Sequence, residues 1–189
     1  MSQPDLAVMA APAAPPPTRG QVVGAIATRL AAEDFGTGPR AALRRLDLRG
    51  ELTEPALHRL LAQHVPEAWL TGEGLRAWAL LIHALALAAP DNLLGSEGLG
   101  TALQAAGFAE IRFVNVLDAT SDELLDRVPR AVRFLVAKGQ SLNGFQLADL
   151  IFSRHSADER WAERVRQRIA SDYYRAERRA AQPAEAPPA

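Results

Sequence analysis

Leu99-Gly100-Thr101-Ala102-Leu103-Gln104-Ala105-Ala106-Gly107 opens the most informative part of the chain, which runs on to Tyr174. Leu99 to Ala106 reads as a helix stopped by Gly107, a natural residue for a left-handed helix end. Ala109 to about Asp118 comes next. Its core, Ile111-Arg112-Phe113-Val114-Asn115-Val116, is the nearest strand candidate in the chain. Its neighbours favour helix, and it is read as helix. Thr120 with Glu123 three residues on forms a capping box for the following helix. Pro129 falls inside that pattern and should kink or split it. Asn143 to Ser153 carries Phe145, Leu147, Leu150 and Ile151. Ser156 and Glu159 make a second capping-box pair ahead of a last helix, roughly residues 157–179.

Upstream the same pattern holds. Gln21 to Glu33 puts Val22, Ile26, Ala27 and Leu30 on one face. Gly36-Thr37-Gly38-Pro39 breaks the chain, and Pro39 suits the first turn of a short helix ending near Leu46. Glu54 to His64 sets Leu57, Leu60 and Leu61 at helical spacing. Thr71 to Ala88 is the longest apolar helix, ended by Pro90-Asp91-Asn92. The expected fold is all-α: a bundle of about eight helices in two small packed lobes, residues 20–90 and 97–180. Ala/Pro-rich tails at 1–19 and 181–189 are expected to be disordered, because proline lacks the amide a helix interior needs.

Composition narrows the function. The chain has 189 residues, a formal net charge of -1, an apolar fraction of 48% and no cysteine. Disulfides and thiolate metal sites are thereby excluded. Leu75 to Ala89, interrupted by Arg76 and His83, is too short and too polar to span a bilayer. No signal-peptide pattern precedes it, so a cytoplasmic location is expected. Lys138 is the single lysine. The arginine bias by itself matches a GC-rich genome, since alanine and proline are also abundant.

Catalytic motifs are missing. His58 and His64 stand six apart on different helix faces, with no carboxylate in the zinc-helix pattern. His83 lies in an apolar stripe and reads as a satisfied core or interface residue. Gly95, Gly98 and Gly100 lack the preceding strand and the Lys-Ser/Thr of a phosphate loop. No nucleophile, metal site or acid–base constellation emerges, and no cofactor is implied.

The remaining question is what the arginines touch. Arg40, Arg44, Arg45 and Arg49 surround a short helix, diluted by Asp47 and Glu51. Arg127, Arg130 and Arg133 recur every third residue and share a helix edge, which Arg112 could approach. Arg154, Arg160, Arg164, Arg166 and Arg168 extend the basic character, with Asp158, Glu159 and Glu163 as intrahelical partners. Phosphate binding by such groups would be sequence-independent and salt-sensitive. Trp161, Tyr173 and Tyr174 could stack bases, although packing a terminal helix onto its neighbour is the commoner use.

Taken in order, these features resemble the CasB family, the small subunit of type I-E CRISPR Cascade complexes. The resemblance rests on Gly38-Pro39-Arg40-Ala41-Ala42-Leu43-Arg44-Arg45 and the apolar helix from Trp78 to Ala89. It continues with Leu99-Gly100-x-Ala102-Leu103 ending at Gly107, Glu110-x-Arg112, Arg130 and Arg133. Asn143 to Phe152, Trp161, Arg164 and Asp172-Tyr173-Tyr174 complete it. It implies an all-α, non-catalytic protein. The family usually places two copies beside the repeated crRNA-binding subunits and the large subunit, where they help hold the R-loop open through nucleic-acid backbone contacts, including the displaced strand. R-loop formation is nearly balanced, so modest phosphate contacts can shift it.

Carried over by position, the resemblance implies nucleic-acid contacts at Arg44, Arg45, Arg112, Arg130, Arg133 and Arg154. The chain departs from it at Thr101, Asp118 and Ser121, where relatives often carry basic residues. Two other readings stand beside this one: a purely structural subunit without DNA contact, and an unrelated helical adaptor or regulator.

Overall fold

The computed structural model describes residues 15–182 apart from positions 92 and 94. Among the described residues the protein is built of nine α-helices: α1 Arg19–Ala31, α2 Thr37–Leu43, α3 Pro55–His64, α4 Gly74–Ala88, α5 Leu99–Ala105, α6 Glu110–Leu117, α7 Ser121–Ala137, α8 Gly144–Ser153 and α9 Glu159–Ala181. Two 3-10 turns, Glu33–Phe35 and Glu67–Trp69, join them. The all-α expectation holds. The Ala/Pro-rich tails fall mostly outside the described residues.

Helix α4 is the centre. Eleven of its fifteen residues are buried, and they lie on every side of the helix. A helix apolar all round has to be enclosed by others, and α1, α2, α3, α7 and α8 all pack on it. Trp78 is buried within it, stacked with Trp69 at 6.1 Å and tilted against Phe152 of α8 at 4.7 Å. Burying each such large side chain contributes about 1.5–3 kcal/mol. One cluster of buried apolar side chains runs from Val22 of α1 to Tyr173 of α9.

The second half of the chain is organised by α5 and α9. Their closest approach is Gly100, where an added Cβ would stand 2.1 Å from the Ile169 carbonyl oxygen and 2.7 Å from the Tyr173 nitrogen. That glycine is required by backbone contact between the two helices. Gly107 ends α5 as its sequence predicts. Its φ is +76°, the Phe108 amide donates to the Leu103 carbonyl and the Gly107 amide to that of Gln104, the paired bonds of a Schellman ending.

Three local expectations need correction. Helix α7 is not split at Pro129 but runs through it from Ser121 to Ala137. Proline removes one amide donor there, and the buried face of α7 packed on α4 holds the helix on both sides of it. The cap of α9 is Asp158, whose carboxylate accepts from the Trp161 amide at 2.9 Å, while Ser156 accepts from Asp158. The Asp is two residues closer to the apolar face that fixes the helix start. The helix expected through Leu46 ends at Leu43. By contrast, Thr120 and Glu123 form the expected capping box, and the strand-like segment 111–116 is helical.

Candidate nucleic-acid interface

The arginines divide into those that close helix ends and those that face outward. The last carbonyls of a helix lack intrahelical donors and carry the negative end of its dipole. Arg40 meets this need at α1: its guanidinium donates to Leu30 O at 2.9 and 3.1 Å and to Ala32 O at 3.1 Å. Arg44 does the same for α4, donating through Nε to Ala86 O at 2.8 Å and through Nη2 to Ala89 O. Arg154 donates to Leu117 O at the end of α6, and its Nε is buried. Burial lowers the Arg154 pKa from its ordinary value.

Arg49 is spent differently. It forms ion pairs with Asp122 at 2.9 Å and Asp126 at 2.8 Å, tying the loop after α2 to the first turns of α7. The Asp126 carboxyl is held below its ordinary pKa by Arg49. The consequence reaches Arg130, which lies one turn after Asp126 on α7. With Asp126 occupied by Arg49, Arg130 has no carboxylate partner within ion-pair distance among the described residues.

Arg112 of α6 and Arg130 of α7 line one cleft of about 430 Å³, together with Phe108, Asn115, Val116, Arg127 and Phe134. Both arginines are exposed and make no hydrogen bond or ion pair among the described residues. Arg127 forms the cleft's inner wall. Its guanidinium donates to Glu123 at 2.5 Å and to Asn115 O, and so locks α6 against α7. Phe108 and Phe134 meet edge to face at 5.2 Å beneath, with Lys138 5.9 Å from the Phe134 ring centre. Arg133 is exposed one turn on, beside Arg130 in a neighbouring groove that also holds Arg49 and Asp126. Spacing of three along α7 thus presents Arg130 and Arg133 together, and α6 brings Arg112 beside Arg130.

Arg45 stands apart. It is exposed, donates to Ala41 O at 3.1 Å, and borders a shallow groove shared with Asp47, Glu51 and Glu54. His83 is the satisfied core residue its stripe indicated. It is buried, and Nδ1 lies 2.8 Å from Leu43 O, so Nδ1 carries the proton and donates. Burial pushes its pKa below 6.5.

Of the aromatic residues weighed as base-stacking groups, Tyr173 is buried. It stacks on Phe113 at 4.0 Å, and its hydroxyl donates to Phe108 O at 2.7 Å. Tyr174 donates to Glu110 at 2.8 Å. Both fasten α9 to α6 and its approach.

Residues 39–174 match the family described as CRISPR-associated protein Cse2. That span runs from within α2 to the Tyr173–Tyr174 pair that anchors α9. The chain belongs to the Cse2 family. Cse2, also called CasB, is the small subunit of type I-E Cascade, so the chain is a structural small subunit of a CRISPR surveillance complex and works with other subunits. Comparison with curated proteins and with solved structures gives no match. Among the described residues of this Cse2-family chain, no helix is long and apolar enough to cross a membrane.

Sequence reasoning missed the helix-closing role of Arg40, Arg44 and Arg154. It also missed Arg49 as the group that occupies the acids of α7. The signal available for the former was weak: Arg44 and Arg154 lie far along the chain from the carbonyls they close, and no local motif marks the contact of Arg40 with the end of α1.

Proposed function

We propose that this subunit supports Cascade assembly and stabilises crRNA-guided DNA binding through arginine–phosphate contacts centred on the α6–α7 cleft. The observation that carries the reading is the convergence of Arg112 and Arg130, from two helices, as exposed guanidinium groups without a carboxylate partner. Arg133 extends this face and Arg45 adds a separate, weaker contact. Arg44 and Arg154 act on the same function indirectly, by closing the helices that carry the face. Guanidinium forks suit phosphate oxygens, and each contact releases on the order of one counterion from the strand. The strands engaged are those of the R-loop, the displaced strand among them. Its exchange of one duplex for another is so nearly balanced that a few contacts shift it.

A second reading is favoured by a separate observation. Arg44, Arg49 and Arg154 are all engaged within the chain, as in a subunit whose arginines serve protein structure alone. Titrating the assembled complex with target DNA at several salt concentrations separates the two. Under the first reading Arg112→Gln/Arg130→Gln weakens R-loop binding and flattens its salt dependence while the complex still assembles. Unchanged affinity and slope in the double variant would remove the α6–α7 cleft as a nucleic-acid site and leave its arginines a structural role.

A further inference from the structure

Helix α9 carries seven of the chain's arginines and four carboxylates over 23 residues, and the two signs are sorted around its axis. At 3.6 residues per turn, Arg160, Arg164, Arg168, Arg175, Arg178 and Arg179 fall within an arc of about 100°. Ala162, Val165, Ile169, Tyr173 and Ala176, the buried residues, occupy the arc facing the protein. Glu159, Glu163 and Glu177 lie together on one flank. Asp172 turns inward, with its carboxylate 3.4 Å from the Gln146 amide. The outward stripe therefore contains no acidic residue.

Few of these charges are neutralised internally. Arg164 approaches Asp158 at 3.9 Å, both exposed. Glu163 is taken by Arg166 and Gln167, on the flank beside the stripe. Asp149 of α8 faces Arg168 beyond ion-pair distance. Arg160, Arg168, Arg175, Arg178 and Arg179 make no hydrogen bond or ion pair among the described residues. Like charges four residues apart weaken a helix, and this stripe contains three such pairs: 160/164, 164/168 and 175/179. A helix selected only for solubility would alternate its signs.

Spacing identifies the occupant. Residues four apart on a helix are separated by about 6 Å along its axis, close to the distance between successive phosphates of an extended strand. We infer that the outward stripe of α9 is a second nucleic-acid track, on which Arg160, Arg164 and Arg168 engage consecutive phosphates of a single strand of DNA lying along the helix. Arg175 and Arg179 continue it. The track reads no base, because the stripe presents guanidinium groups and no exposed aromatic. It stands beside the α6–α7 site and does not depend on it.

The test uses the full chain and a fluorescein-labelled oligothymidylate of about 20 nucleotides, with anisotropy read over a salt series. Arg160→Gln/Arg164→Gln/Arg168→Gln is expected to weaken binding about tenfold and to lower the log–log salt slope by about 2, since each single-strand phosphate contact contributes about 0.7. The corresponding Arg→Lys triple should keep most of the slope, because the contact is one of charge. Arg175→Gln/Arg179→Gln, made on exposed positions one packing segment away, should give a smaller loss of the same kind. Arg112→Gln/Arg130→Gln reports on the α6–α7 cleft separately, so either site can fail alone. Unchanged affinity and slope in both α9 variants, or no binding by the wild-type chain at low salt, overturns the inference. So does loss of incorporation into Cascade with DNA binding intact, which would make the stripe a protein interface.

Discussion

Arg44 on the α2 side and Arg130 on α7 look alike in the sequence: each sits in a short basic cluster with acids nearby. In the folded chain they have opposite fates. Arg44 lies against the end of α4 and donates to Ala86 O and Ala89 O. Arg130 points out of the α6–α7 cleft with its charge unspent. What distinguishes them is the neighbour each helix meets. A helix end brings carbonyl oxygens with no donor of their own, and a guanidinium beside it is drawn in. On the flank of α7 the nearby acids are already paired, Asp126 with Arg49 and Glu123 with Arg127, and Arg130 stays available. Basic clusters in a helical protein therefore sort into struts and contacts according to which part of the adjoining helix they face.

The comparison is broken most forcefully at Arg44. Arg44→Ala should destabilise the protein by about 1.5–3 kcal/mol, because two charge-assisted bonds to half-buried carbonyls are lost. Urea denaturation measures this, and a change within error would mean that Arg44 is no strut. Arg112→Gln/Arg130→Gln should do the reverse. Its urea midpoint should stay near wild type, while the salt slope for single-stranded DNA falls by about 1.4.

Arg49→Ala sharpens the contrast further. Removing it frees Asp122 and Asp126 beside Arg130, so DNA affinity should fall severalfold although Arg49 itself touches no phosphate. Asp126→Asn in the same background should restore it. Failure of that restoration would detach Arg49 from the cleft's electrostatics.

The smallest effect concerns pH. Burial holds His83 below its ordinary value of 6.5, and His64 and His155 shift the same way for the same cause. Below about pH 6.5 the unfolded chain binds protons that the folded chain refuses, so stability falls as pH drops through that window and is complete above it. Thermal melts from about pH 7.5 to 5.5 should show Tm declining, and His83→Gln should lessen the decline. A flat profile in the wild type contradicts this account of the histidines.

Much of the fold was legible from residue order. Gly107, Thr120 with Glu123, and the apolar run of α4 mark their elements through local rules of backbone conformation and spacing. Pro129 misled because one missing amide is a local loss, whereas continued packing of α7 on α4 acts along the whole helix. Ser156 misled because two capping residues stand two positions apart and compete, and the position of the buried face of α9 chooses Asp158. The candidate site was legible in part. Arg112, Arg130 and Arg133 were singled out by helical spacing and by resemblance to the family, but the cleft that Arg112 and Arg130 border with Phe108 and Phe134 needs α6 and α7 side by side.

The sequence by itself determined that the chain is helical, where most helices begin and end, and which family it joins, because capping, periodicity and ordered motifs are properties of neighbouring residues. Tertiary structure alone decided which arginines carry usable charge. The partners of Arg44, Arg49 and Arg154 are carbonyls and carboxylates dozens of residues away, and only packing sets those distances.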